Sequence, residues 1–160
     1  MRVLLMISAQ CAPLEEGSRD CDRPLTNGGR RDAMEAAEFA KKLSIAPECV
    51  LVSPFQRSKV TGDIFAESFD NPPPVEIVPA LMPGAGVSEL MKAITDHTEI
   101  TQNDWILVVI HYSDANFILS SLFNQKNKFN FMLQPGILLG LDILLHKGAL
   151  SAKILFSKYP

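Results

Sequence analysis

Residues 49–57 read CVLVSPFQR, four apolar residues running straight into Ser-Pro and a helical pattern. A short continuous apolar run marks a strand buried on both faces, so Cys49–Val52 reads as an inner strand. Pro54 suits the first turn of a helix and Ser53 a capping position, which predicts a helix from Pro54 to about Phe69. A buried strand passing at once into a helix is the repeating unit of a parallel α/β sheet.

The same alternation extends in both directions. Towards the N-terminus, Val3–Ile7 is a second buried run. A polar loop holding Pro13, Gly17 and Pro24 follows it. The stretch Gly29–Leu43 then reads as a helix with Ala33, Ala36, Ala37, Ala40 and Leu43 on one face. Towards the C-terminus, Asn71-Pro-Pro-Pro breaks the chain before a strand over Val75–Val78. A turn at Pro83–Gly86 leads into a helix over Val87–His97. Trp105–Ile110 is the most apolar strand, and the helix Ser113–Phe123 after it turns Ala115, Ile118, Leu119 and Leu122 inward. Asn124–Asn130 reads as a surface loop. Strands over Ile137–Leu145 and Ala152–Phe156 read as a hairpin around Lys147-Gly148. The expected architecture is a three-layer α/β/α sandwich in one domain spanning 1–160. Its sheet is six-stranded and mostly parallel, with one antiparallel strand contributed by the hairpin.

Composition narrows the function classes. With 15 Lys and Arg against 18 Asp and Glu, the net charge is −3. Such a chain has no global attraction for nucleic acid or an anionic membrane, so any anion site must come from local groups. Three cysteines (Cys11, Cys21 and Cys49) make an odd number without a C-x-x-C pair. This predicts reduced thiols in a cytoplasmic protein, and neither a disulfide framework nor a metal site. The apolar run after Arg2 is shorter than the roughly 7–15 residues of a signal-peptide core. No other run approaches a membrane span. No cofactor is implied.

Ligands of open α/β sheets bind outside the carboxyl ends of the strands. Three segments place polar groups there. Arg57 falls in the first turn after the second strand, where its fork and the helix N-terminus suit an oxyanion. His111 ends the fourth strand and suits anion binding or proton transfer. Arg23 stands just before a helix start that Thr26 can cap. Taken singly, each has a plainer reading: a surface arginine, a satisfied core histidine and an ordinary capped helix.

Together, R-P-L-T-x-x-G at 23–29, L-V-S-P-F-x-R at 51–57, V-x-P from 78 and V-V-I-H at 108–111 resemble the histidine phosphatase superfamily. The resemblance is to its phosphoglycerate-mutase-like fold, and within it to the short SixA-type phosphohistidine phosphatases. It implies Arg57 and His111 as retained phosphate-binding and catalytic residues, with Arg23 as a further phosphate ligand. It also implies an Arg-His-Gly triplet ending the first strand, the histidine being the nucleophile. Here that triplet reads Ile7, Ser8 and Ala9. The acidic residue often found after the third strand falls on Ala80. Ser8 thus holds the nucleophile position and Ile7 that of the first phosphate arginine. Ile7 is expected to put a branched apolar group where a dianion would sit.

Two functions compete on this reading. One is a pseudophosphatase that keeps weak phosphate or phosphoprotein binding, its partner a phosphorylated signalling or phosphotransfer protein. The other is an active phosphatase with an altered mechanism, Ser8 attacking with His111 as base, or Cys11 as thiolate. A nucleotide-binding fold is excluded by the absence of any G-x-G-x-x-G or G-x-x-x-x-G-K-[ST] motif.

Overall fold

The structure, a computed structural model, describes residues 1–97, 104–123, 132–146 and 149–160. The segment 124–130 and the turn at 147–148 lie outside the described residues.

Six strands form one sheet: β1 (Arg2–Ile7), β2 (Pro47–Val52), β3 (Val75–Ile77), β4 (Trp105–Ile110), β5 (Leu138–His146) and β6 (Ala149–Lys158). Their spatial order is β3-β2-β4-β1-β5-β6. The pairs β3·β2, β2·β4 and β4·β1 are parallel. Strand β5 runs antiparallel to both β1 and β6, so it alone opposes the other five. The expected mostly parallel sheet with one antiparallel strand is the one observed.

Four α-helices cover the sheet: α1 (Asn27–Lys42), α2 (Gln56–Glu67), α3 (Val87–Asp96) and α4 (Tyr112–Leu122). The two-residue alternation of the strands sorts their side chains between two apolar layers. Leu4 and Met6 of β1 and Leu107 and Val109 of β4 pack with Ala33, Ala36, Ala37 and Ala40 of α1 and Phe65 of α2. Val3, Leu5 and Ile7, with Ile106, Val108 and Ile110, pack instead with Leu90 and Ile94 of α3 and Ile118 and Leu122 of α4. Each fully buried Leu or Ile side chain contributes about 1.5–3 kcal/mol. The alanine face of α1 brings that helix close to the sheet.

Several expected boundaries move. Leu43 is exposed, because the helical backbone ends at Lys42 and Leu43 takes φ −87° and ψ 5°. Helix α2 begins at Gln56, so Pro54 lies before its first turn and Phe55 is the capping residue. Ser53 is no cap; its hydroxyl accepts the Phe55 N–H and faces His111 instead. Strand β5 is shifted by one residue from its expected span, and β6 is longer than expected, because Ser151, Lys153, Ser157 and Lys158 dilute the apolar pattern of an outer strand. Strand β3 stops at Ile77, one residue short of the expected end. Among the described residues, no helix is long and apolar enough to cross a membrane.

Candidate functional site

The carboxyl ends of β1, β2 and β4 open on a cavity of about 280 Å³. Ser8, Ala9, Gln10 and Cys11 wall it from the end of β1, Arg23 from the loop before α1, and Arg57 from the first turn of α2. His111, Tyr112 and Ser113 close it from the start of α4, and Pro135 from the chain before β5. Ser8, Arg23, Arg57 and His111, far apart in sequence, are therefore brought together as expected.

Ile7 is not. It is absent from the cavity walls and only 1% exposed, packed in the apolar layer beneath α3 and α4. It pairs with Ile110, and its N–H and C=O bond to Ile137 and Gly136. The expectation that its side chain obstructs an anion is therefore corrected. The alternation of β1 turns Ile7 into the core, so the site lacks an arginine without gaining a blocking group. Ala80 is exposed in a short 3-10 turn (Pro79–Leu81) and does not reach the cavity.

Ser8 is 3% exposed and donates its N–H to the Ile110 carbonyl at 2.9 Å. Since Ile7 pairs with Ile110 in parallel register, Ser8 and His111 leave the sheet side by side. His111 is 1% exposed. Its Nε2 lies 2.8 Å from Ser53 Oγ, and its buried Nδ1 has no partner. Ser53 Oγ also accepts the Phe55 N–H, so the hydroxyl ties His111 Nε2 to the start of α2.

Burial, then the nearby Arg57 charge, push the His111 pKa down to about 4. Below pH 6.5 an unfolded chain takes up a proton that the native one refuses. Stability from this residue is complete above pH 6.5 and is lost as pH falls from 6.5 towards 4. The loss amounts to about 3 kcal/mol over that window. His111→Gln should flatten this part of the denaturant-midpoint profile, and an unchanged slope would contradict the assignment.

Arg57 is largely buried, and its guanidinium stacks 4.8 Å from the Phe55 ring centroid. The same ring meets His111 edge-on at 5.1 Å. Phe55 thus contacts both the cation and the imidazole. Arg57 donates from Nη1 to the Asp20 carbonyl at 2.9 Å and from Nη2 to the Asp20 carboxylate at 3.1 Å. Arg23 donates from Nε to the Ala12 carbonyl at 2.8 Å and from Nη1 to Asp20 at 3.0 Å. Sequence reasoning missed Asp20, although its place three residues before Arg23 was a visible signal. Gln10 and Phe55 were missed as site residues too.

The three thiols are free; Cys11 alone lines this cavity, and burial raises the Cys49 pKa to about 11. Among the described residues, no three His, Cys, Asp or Glu side chains gather as metal ligands. Two guanidiniums, an imidazole and a serine thus gather around a small cavity, and guanidinium donors suit an oxyanion.

Comparison with known proteins gives a consistent picture. Residues 14–89 match the Histidine phosphatase superfamily (branch 1). Over 125 residues, 76% of the chain and 74% of the relative, the sequence is 27% identical to phosphohistidine phosphatase SixA of Escherichia coli (strain K12). A solved structure of the protein histidine phosphatase SixA complexed with tungstate superposes with TM-score 0.77 at 23% identity. That match covers 98% of this chain and 96% of the other. The alpha-ribazole phosphatase from Shigella flexneri gives TM-score 0.69 at 16% identity, over 97% and 96% of the two chains.

Proposed function

This chain belongs to the histidine phosphatase superfamily, and we propose that it is a SixA-like member that has lost catalysis while retaining a weak oxyanion pocket. One observation carries the reading. Ser8 occupies the nucleophile position, and the imidazole beside it is tied through Nε2 to Ser53 Oγ, with its pKa held down to about 4. A serine nucleophile needs an adjacent base, and an imidazole with so low a pKa is a poor one. The pocket retains Arg57, Arg23 and His111 for binding. Hydrogen bonds to charged groups contribute about 1.5–3 kcal/mol each, so the missing arginine and histidine weaken phosphate binding by about 10²–10⁴.

The ligand favoured by this chemistry is a phosphoryl group on a protein side chain. The name of the Escherichia coli relative supports a phosphohistidine-bearing partner, a signalling or phosphotransfer protein in the cytoplasm. This extension rests on likeness of fold.

The adjacency of Ser8 and His111 favours a second reading, a phosphatase in which Ser8 attacks. Turnover of a phosphohistidine protein or an aryl phosphate that His111→Ala abolishes would sink the first reading, and its loss in Ser8→Ala as well would establish the second. For binding, tungstate is the probe. Millimolar tungstate should raise the melting temperature of the wild-type chain, by linkage. Arg57→Ala should weaken tungstate binding about 10–100-fold, the worth of one charged contact. An undiminished shift in that variant would remove Arg57 from the pocket's function.

A further inference from the structure

Asp20 stands at the junction of the two cavity-facing arginines. Its Oδ1 accepts from Arg23 Nη1 and its Oδ2 from Arg57 Nη2, while its backbone oxygen accepts from Arg57 Nη1. A carboxylate between two arginines could act as a plug, filling the place of an external anion. Its position argues otherwise, because both arginines wall the cavity and Asp20 does not. It holds them from outside.

The donor inventory agrees. A guanidinium carries five N–H donors in a rigid fork. Asp20 engages the Nη1 and Nη2 ends of Arg57, and among the described contacts the Nε–H has no partner. Arg23 uses Nε on Ala12 and Nη1 on Asp20, leaving Nη2 unused. Each arginine is anchored on one edge and keeps donors on another. The Arg23 and Arg57 contacts also hold the Asp20 carboxyl below the usual carboxylate range.

We propose that Asp20 is a positioning residue that braces Arg23 and Arg57 from behind, presenting their unused donors as a preformed receptor for a tetrahedral oxyanion. The inference rests on the oxyanion-pocket reading above and goes beyond it by assigning the preorganisation to a residue outside the cavity. Long cationic side chains lose rotamer freedom when they bind, and a fixed anchor removes that cost beforehand. The brace also holds two like charges close together, which they would otherwise resist.

The sign of one substitution separates positioning from simple electrostatics. Removing a negative charge beside two arginines should tighten anion binding if charge alone matters; removing a brace should weaken it. Titration calorimetry with sodium tungstate on the full chain should therefore show Asp20→Ala weakened about 10-fold or more. Asp20→Asn, which keeps the shape and one acceptor oxygen, should fall between Asp20→Ala and wild type. Asp20 is partly exposed, and both variants should still unfold in one cooperative transition, at a melting temperature lowered by the lost arginine contacts. Equal or tighter binding by both variants overturns the brace and leaves the pocket reading intact. No binding by wild type at millimolar tungstate overturns both.

Discussion

Ile7→Arg together with Ser8→His should raise hydrolysis of an aryl phosphate at least about 10³-fold over the wild-type chain. Catalytic groups that act as a unit lose about 10⁶ in rate when the nucleophile is removed, so its return has a large span to recover. Ser8 already stands at the cavity beside His111, and Arg57 and Arg23 are braced across from it. A histidine at position 8 meets an assembled anion receptor. The arginine must turn up out of the apolar layer that Ile7 now fills, forfeiting about 2–5 kcal/mol of core packing. The double variant should thus be more active and less stable, read by steady-state turnover beside a denaturant curve. A folded double variant that stays at background would show that the cavity lacks more than these two side chains.

Gly29→Ala should destabilise the chain by about 1–3 kcal/mol or more and displace the loop that carries the cavity wall. A Cβ at Gly29 would lie 2.2 Å from the Gln10 carbonyl oxygen and 2.9 Å from its nitrogen. Those are backbone atoms, and the same carbonyl accepts the Thr26 N–H at 3.0 Å. The loop after β1 therefore rests directly on the first turn of α1, with only hydrogen at position 29 between them. Gln10 and Cys11 would have to move with it. Gly28 supplies the control. Its Cβ would meet only the Gln10 and Thr26 side-chain oxygens at 3.6 Å, so Gly28→Ala should be close to neutral. Urea midpoints of the two variants should differ plainly, and equal midpoints would contradict the close approach.

The readable parts of the fold were those with local causes. Apolar runs at Val3–Ile7, Cys49–Val52 and Trp105–Ile110 announced buried strands because both faces of each are covered. The alanines of α1 and the apolar stripe of α4 announced their inward faces in the same way. Strand β6 was read short because polar residues interrupt the apolar pattern of an edge strand. Ser53 was read as a helix cap from its place before Pro54; its partner, His111, lies 58 residues away.

The site divides along the same line. Ser8, Arg23, Arg57 and His111 were legible because each sits at the carboxyl end of a strand or the start of a helix. The missing Arg-His-Gly triplet was legible only through the resemblance. The burial of Ile7 in the core was overlooked because the position was read by resemblance, while its direction follows from the alternation of β1.

The sequence by itself therefore determined the layered sheet, the end of it that carries chemistry, and the side chains present there. These follow from periodicity and residue type, which act over a few neighbouring positions, whereas the side chains missing there were read from the resemblance. Tertiary structure alone decided how those side chains are used. Ser53 Oγ pairs with His111 Nε2 from 58 residues away, and Asp20 accepts from Arg57 from 37 residues away. A hydrogen bond between distant residues depends on where the folded backbone brings them, and no local pattern encodes that meeting.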